Sequence, residues 1–331
     1  MGTKAVITVL GTPRSGTSAI TRALPVMGAF LGDQLVPPGI NNPTGFWEDL
    51  HTQQINIRLL ELAGRHIEWP VLSREKIESS PCYSDVKHQA VELFTRRLCT
   101  NPLFAFKDPR ANRLLFFWQE VFREIGCADH YVLALRNPLS VAASLKISAG
   151  IKRATALALW LECTVRAVQD TLYRRLVVVA YEQLIKNPGA EVLRMAAGLA
   201  LEGHLRSDAF DSYTRDFINP EFMHIHHNAD DLAAGVQELP LVADVYRLLS
   251  RHASDALTAG DFWLLWLPLY TRFEREFPEF IAANKWLAQR ASITVTPVKR
   301  MCIRLRAHGA GEMRRLAHRT LEKTLAVFQA P

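Results

Sequence analysis

The chain has 331 residues, 49% of them hydrophobic and 22% charged, so it can bury a large core and has the composition of a globular protein. Its longest apolar run, Phe262–Tyr270, contains a proline and is too short to span a bilayer. The net charge of +6 lies between Lys299 and Lys323, where eight Lys and Arg accompany two acids; the neutral remainder disfavours nucleic-acid binding.

The five cysteines are scattered, odd in number and without a C-x-x-C pair. This pattern favours reduced thiols over disulfides or a zinc site. The first apolar run begins at Val6, and no leader with basic, apolar and small-residue regions precedes it. We therefore expect a cytoplasmic protein.

The first motif combines a strand, a loop bounded by two glycines and a helix. Val6–Leu10 is apolar and β-branched, which predicts a buried strand, and a helix is predicted from Ala19 to Leu24. The loop between them, Gly11–Ser18, is typical of a phosphate cradle built from backbone N–H groups and a helix N-terminus. Nucleotide triphosphatases carry a lysine directly after the second glycine. This sequence has Thr17 there, and its positive charge lies inside the loop at Arg14.

Three more apolar strands are predicted, at Leu103–Phe106, Tyr131–Leu135 and Leu176–Ala180. The predicted helices lie at 53–62, at 75–99 with an interruption at 79–81, at 111–125, from 139, at 154–174 and after 188. Strands that are apolar on both faces and alternate with helices indicate a parallel sheet covered on both sides. Residues 240–290 show amphipathic helices without strands. We therefore predict a P-loop-containing three-layer α/β/α fold with a central parallel sheet and a helical C-terminal extension.

Polar groups follow each predicted strand: the Gly11 loop, Lys107, Arg136 and Tyr181. In open α/β sheets ligands bind beyond the carboxyl ends of the strands, so these groups are expected to converge. Arg136 also stands before Pro138, which suits the first turn of a helix that carries Ser144. A guanidinium and a hydroxyl on such a corner can bind one phosphate. The alternative is a surface arginine before a turn and a serine packed on the sheet.

Five segments occur in order: Thr12–Ser18, Asn42–Glu48, Phe106–Arg110, Arg136–Pro138 with Ser144, and Val179–Leu184. Together they resemble the sulfotransferases that use 3′-phosphoadenosine-5′-phosphosulfate (PAPS), most closely the bacterial branch, and are similar to carbohydrate and tyrosylprotein sulfotransferases. The resemblance covers residues 4–200. It implies transfer of a sulfuryl group from PAPS to a hydroxyl, with release of adenosine 3′,5′-bisphosphate. The implied domain is 1–295, with a cofactor-binding core at 4–200, a helical acceptor or lid region at 201–295 and a basic tail at 296–331.

The resemblance assigns the two ends of PAPS to different segments. The 5′-phosphosulfate falls to Pro13, Arg14, Ser15, Gly16, Thr17 and Ser18, and the 3′-phosphate falls to Arg136 and Ser144. Lys107 matches a lysine that some family members place near the sulfuryl group. A sulfuryl group carries less charge than a γ-phosphoryl group with its metal, so no metal is expected, and Arg14 and Lys107 would stabilise the transferring group. The alternative for Lys107 is a strand-end lysine paired with a carboxylate.

The base is expected to be a carboxylate or histidine near the loop. Glu48 is the first candidate, because the turn before it would project it over the crevice. Asp33 is the second, since in some branches of the family the base follows soon after the loop, and His51 is the third. The alternative for Glu48 is an acid that stabilises the N-terminus of the next helix. Asp108 and Arg110 are expected to fix the shape of their loop or to contact the acceptor.

The acceptor is expected to be a carbohydrate, a lipid or a small metabolite, bound by segments 28–45, 64–81 and 204–240. Trp160 and the aromatic residues of 262–273 are predicted to be core. A histidine-rich stretch lacks the helical spacing of a zinc site and is interpreted as a lid loop: His224, His226, His227, Asp230 and Asp231. The basic tail is predicted to be a solvated or docked amphipathic helix, with weak contact to a membrane surface as the alternative.

Two other functions remain open. A P-loop small-molecule kinase would need a lysine in the loop and an acid that binds Mg²⁺, and Thr17 disfavours it. A nucleotide-binding protein without catalytic activity would keep the cradle but lack an acceptor cleft. Chelation of metal by EDTA would abolish a kinase and spare a sulfotransferase.

Overall fold

The computed structural model describes residues 4–39, 42–63, 74–219, 227, 231–232, 235–237 and 239–278. The boundary at 295 and the basic tail lie outside these residues. Within them, no helix is both long enough and apolar enough to cross a membrane. The four cysteines in this part of the chain are free thiols.

Four parallel strands form the sheet, in the order β2-β1-β3-β4. They are β1 (Ala5–Leu10), β2 (Leu103–Lys107), β3 (Ala128–Leu135) and β4 (Arg175–Ala180). Each includes the strand predicted from the sequence. The chain runs from β1 to β2 at one edge of the sheet, and from β3 to β4 at the opposite edge. The crevice of such a sheet lies beyond the carboxyl ends of the adjacent strands β1 and β3.

The α-helices with defined bounds in the described ranges are α1 (Thr17–Ala23), α2 (Leu50–Leu62), α3 (Arg74–Glu78), α4 (Tyr83–Thr100), α5 (Ala111–Ile125), α6 (Pro138–Ala149), α7 (Arg153–Asp170), α8 (Tyr181–Lys186), α9 (Pro188–Leu199), α10 (Ser207–Asp211), α11 (Pro240–Ala253) and α12 (Ala259–Glu276). The predicted interruption at 79–81 separates α3 from α4. Two helix boundaries differ from the predicted ones by three or four residues. Asp49 caps α2 through the Thr52 N–H, so this helix begins at Leu50 and not at Gln53. The helix predicted to reach Arg174 ends at Asp170, before Tyr173 adopts a positive φ of 64°.

Side chains alternate along the buried strands, so the sheet has an apolar layer on each face. Ile7 and Val9 pack with α1, α8 and α9 on one face. Val6 and Leu10 point the other way, into the layers formed by α2, α4 and α5 and by α6, α7, α11 and α12. This is the predicted three-layer α/β/α arrangement. Its core includes Trp160, at 1% exposure, and the aromatic side chains Phe262, Trp266, Tyr270 and Phe273.

Candidate functional site

The glycine-bounded loop joins β1 to α1 as the sequence predicts. Gly16 precedes the first helical residue with φ 84°, a left-handed conformation that glycine adopts without strain. A Cβ atom there would lie 2.1 Å from Cδ2 of Tyr181, so the position also requires glycine for space. The loop therefore leads directly into the N-terminus of α1, where backbone N–H groups and the helix dipole favour an anion.

The start of the loop is held by Asn112, which sequence reasoning did not identify. Its amide group accepts from the Gly11 N–H at 3.1 Å and donates to the Gly11 carbonyl at 2.7 Å. The side chain is 1% exposed and stands at the second position of α5. These two hydrogen bonds to the backbone of one residue resemble those that a neighbouring strand would make. The only sequence signal was its place two residues after the Lys107–Arg110 segment.

Arg14, Arg136 and Ser144 meet at the crevice between β1 and β3. Arg136 follows β3, and its Nη1 donates to the Arg14 carbonyl at 2.9 Å. Arg14 Nε donates at 3.0 Å to Oγ of Ser144, which lies in the second turn of α6. Burial lowers the pKa of Arg136, and Tyr181 and Glu182 act in the opposite direction. The convergence that the sequence predicted for these three residues is present.

Two aromatic residues hold the Arg136 corner. Trp160 Nε1 donates to the Arg136 carbonyl at 3.1 Å, so this core tryptophan also fixes the end of β3. The Arg136 guanidinium lies over the Tyr181 ring, 4.8 Å from its centroid. Tyr181 is the first residue of α8, a short helix that the sequence reading missed. Its ring packs against both halves of the site, the loop glycine and the arginine.

A cavity of about 580 Å³ opens at this point. Its lining comes from the loop, the 42–44 turn, the α6 and α8 segments and the chain after α10: Arg14, Gly16, Thr17, Ser18, Ala19, Asn42, Pro43, Thr44, Arg136, Ser144, Ile147, Ser148, Tyr181, Ile185, Phe217, Ile218 and Asn219. Among these described residues there are two arginines and no carboxylate. Such a lining suits an anion with an apolar part. Pro13 and Ser15 belong to the loop but are not part of the lining.

Glu48 and Lys107 form a buried ion pair outside this lining. Lys107 Nζ lies 2.6 Å from Glu48 Oε1, and both side chains are at most 7% exposed. Gln53 donates to the other Glu48 oxygen at 3.0 Å. The pairing that the sequence offered as the alternative for Lys107 is therefore present, and its partner is the first candidate base. Asp49, not Glu48, is the acid that caps the next helix.

The turn before Glu48 is tied to the loop. Asn42 donates to Ser18 Oγ at 3.0 Å, and Ser18 Oγ donates to the Phe46 carbonyl at 3.3 Å. Trp47 has φ 58°, a left-handed conformation that is rare for a bulky residue, and Arg22 lies over its ring at 5.1 Å. Glu48 thus follows a segment that is anchored on the cavity wall.

The other two candidate bases differ from Glu48 in exposure and in partners. Asp33 is exposed, in the turn after Gly32. The His51 side chain is 44% exposed, and its Nδ1 lies 3.3 Å from Arg97 and 4.0 Å from Asp49. Arg97 is itself bound to both carboxylate oxygens of Asp49, so His51 borders a separate ion pair.

Asp108 shapes the loop after β2. It accepts from the Arg110 N–H at 2.7 Å and from the Arg110 guanidinium at 2.9 Å. Burial raises the pKa of Asp108 to about 6, Arg110 opposes this shift and the nearby Glu48 adds to it. These contacts agree with the loop-fixing role expected of the pair.

The histidine-rich stretch lies mostly outside the described residues, which include only His227 and Asp231 of the five named. His227 N–H donates to Ser140 at 3.0 Å, and its carbonyl accepts from Asn137, both at the start of α6. No cluster of three or more His, Cys, Asp or Glu side chains with metal-binding geometry occurs in the ranges that the structure describes. Residues 64–73 and most of 220–230 of the expected acceptor segments are likewise outside them.

No family model and no curated protein matches the chain. Among solved structures it is similar to the sulfotransferase domain from the Synechococcus PCC 7002 olefin synthase, with 17% identity, coverage of 82% of this chain and 95% of that one, and a TM-score of 0.40. It is also similar to the sulfotransferase domain from the curacin biosynthetic pathway, with 13% identity, coverage of 70% and 97%, and a TM-score of 0.36. These similarities do not bear on its donor or acceptor.

Proposed function

We propose that this protein is a sulfotransferase that moves a sulfuryl group from PAPS to a hydroxyl of a carbohydrate, a lipid or a small metabolite. One observation carries the proposal. A single cavity is lined both by the glycine-bounded loop and by the Arg136–Ser144 corner, with two arginines and no carboxylate among its described residues. A nucleotide phosphorylated at two separate positions suits such a lining.

The donor set fits PAPS. The loop N–H groups, Arg14 and the N-terminus of α1 would hold the 5′-phosphosulfate, and Arg136 and Ser144 would hold the 3′-phosphate. Ile147, Ile185, Phe217 and Ile218 add apolar surface for the nucleoside. Thr17 occupies the place of the kinase lysine, which favours sulfuryl over metal-assisted phosphoryl transfer.

The proposed reaction is an in-line displacement. The acceptor oxygen attacks sulfur, the new O–S bond forms as the bond from sulfur to the bridging phosphate oxygen breaks, and adenosine 3′,5′-bisphosphate leaves. The Glu48 carboxylate takes the hydroxyl proton, and Lys107 holds that carboxylate in place at 2.6 Å. Arg14 and the loop N–H groups stabilise the negative charge on the leaving phosphate.

The first test is calorimetric binding of adenosine 3′,5′-bisphosphate and of ADP without magnesium. We expect the wild type to bind the bisphosphate far more tightly than ADP. Arg136→Ala should weaken bisphosphate binding by about 10- to 100-fold, since hydrogen bonds to charged groups contribute about 1.5–3 kcal/mol. Arg175→Ala is the matched control, because Arg175 is exposed at the amino end of β4.

Indifference to the bisphosphate would overturn the proposal. A sulfuryl transfer assay with EDTA adds a second criterion, since a magnesium-dependent kinase would lose activity in the chelator. Bisphosphate binding without transfer to any hydroxyl acceptor would favour an inactive nucleotide-binding protein.

A further inference from the structure

The two proposed phosphate subsites are connected by hydrogen bonds. Arg136, assigned to the 3′ side, donates from Nη1 to the Arg14 carbonyl at 2.9 Å. Arg14, assigned to the 5′ side, donates from Nε to Ser144 on the 3′ side at 3.0 Å. Each subsite is therefore hydrogen-bonded to the other one. Arg14, Arg136 and Ser144 all line the same cavity.

A second connection passes through Tyr181. Its ring lies under the Arg136 guanidinium at 4.8 Å and fills the space where a Cβ atom of Gly16 would stand. The same ring therefore contacts the Arg136 guanidinium and packs against the loop at Gly16.

The loop conformation depends on these contacts. Arg14 has φ 74°, in the left-handed region that non-glycine residues rarely adopt. Such a conformation persists where its surroundings hold it, and the Arg136 bond acts on the carbonyl of this same residue. The Arg14 backbone is thus held by a residue of the 3′ side.

We propose that Arg14 couples the two phosphate subsites, so that a phosphate in one of them strengthens binding in the other. This inference rests on the proposed function. A hydroxyl has one proton and two lone pairs. Ser144 can therefore donate to a 3′-phosphate while it accepts from Arg14, and each bond polarises the other. The same phosphate holds Arg136, which in turn holds the Arg14 carbonyl and the loop for the 5′ group.

The consequence is selectivity for nucleotides with both phosphates. A ligand that carries only one of them leaves either Ser144 or the loop without its coupled partner. The affinity gained from two phosphates together should exceed the product of the separate gains.

The test is a binding cycle with adenosine, adenosine 5′-monophosphate, adenosine 3′-monophosphate and adenosine 3′,5′-bisphosphate at fixed ionic strength. Adenosine serves as the reference, so that each phosphate is added to an already bound nucleoside. In the wild type we expect the bisphosphate to bind at least fivefold more tightly than the separate phosphate effects predict. Five-fold is the lower end of typical coupling between sites, about 5- to 150-fold.

Two variants locate the coupling. Arg14→Lys keeps the positive charge but removes the Nε donor, and Ser144→Ala removes the acceptor of that hydrogen bond. In both variants the bisphosphate should bind about as tightly as the separate phosphate effects predict, so that the excess factor is close to 1. Arg175→Ala and Ser254→Ala, which lie outside the cavity lining, should retain the wild-type excess. Because the cycle measures a ratio, a general loss of affinity does not imitate the result.

Independent phosphate effects in the wild type would overturn the inference and leave the sulfotransferase proposal intact. An excess that persists in both Arg14→Lys and Ser144→Ala would overturn the assignment to Arg14. If the bisphosphate does not bind at all, both proposals fail.

Discussion

Glu48 is the residue of the site to which we assign the role of general base. It is buried, accepts from Lys107 at 2.6 Å and from Gln53 at 3.0 Å, and follows a turn that is bound to Ser18 of the loop. Lys107 and Gln53 fix the orientation of this carboxylate, as a positioned general base requires. The same contacts would also suit a purely structural pair, and substitution separates the two roles.

Glu48→Gln should lower kcat by at least about 100-fold, the usual contribution of a general base, while bisphosphate affinity stays within about twofold. The glutamine keeps an acceptor for Lys107 and nearly the same volume but removes the counter-charge of the buried ammonium, so the variant should be less stable, and its bisphosphate binding shows that it is folded. Turnover with the physiological acceptor and calorimetry on the same preparation provide the two readouts.

Asp33→Asn is the matched control, because Asp33 is an exposed carboxylate on the neighbouring turn. It should retain full turnover. Loss of turnover in Asp33→Asn with retention in Glu48→Gln would move the base to Asp33, and retention in both would refute a carboxylate base at either position.

At the scale of elements, α5 controls the end of β1 through Asn112. Asn112→Ala removes two hydrogen bonds and leaves the Gly11 N–H and carbonyl unsatisfied in a buried position. Each buried group left unpaired costs about 1–3 kcal/mol. We expect a loss of about 2–4 kcal/mol in the free energy of unfolding by urea, and bisphosphate binding weakened by about tenfold or more.

Gln119→Ala tests whether the binding effect is specific to the loop. Gln119 lies on the same helix and donates to the Asp170 carbonyl at 2.7 Å, away from the cavity lining. This variant should lose stability without loss of bisphosphate affinity. Equal loss of affinity in both variants would mean that α5 acts only through general stability.

The elements themselves were largely predictable, because hydrophobic period and turn residues are local signals. All four strands and the boundaries of α5 were predicted from apolar runs and from the polar and turn residues that bound them. The missed α8 is only six residues long and starts directly at the end of β4, where no loop marks it. Helix α7 ends at Asp170, before Tyr173 adopts a left-handed backbone conformation that no local sequence pattern indicates.

At the scale of the whole molecule, the sequence predicts which segments converge but not how they bond. Strand ends in a parallel sheet share one edge, so the meeting of Arg14 and Arg136 was predictable. The 59-residue separation of Glu48 and Lys107 and the 101-residue separation of Gly11 and Asn112 depend on the packing of helices against that sheet. No local sequence pattern indicates such pairs. Glu48 and Lys107 were therefore predicted as separate candidates, and Asn112 was missed.

Stability of the whole protein should also report the buried carboxyl group of Asp108, which is 2% exposed. Burial raises its pKa from the ordinary 3.8 to about 6. The unfolded chain therefore releases this proton at a lower pH than the folded protein does. Stability from this group is complete below about pH 4, falls as the pH rises towards 6, and is lost above it.

Asp108→Asn removes this titration. The asparagine oxygen can still accept from the Arg110 N–H, which donates to the Asp108 carboxylate at 2.7 Å in the wild type. The variant should gain about 3 kcal/mol relative to the wild type between pH 4 and pH 7, from the shift in pKa at about 1.4 kcal/mol per pH unit. Urea unfolding at the two pH values measures it, and Asp208→Asn, at an exposed site, should show no such trend. A difference independent of pH would mean that Asp108 titrates normally in the fold. A difference of opposite sign would mean that Arg110 outweighs burial and holds the carboxylate ionised.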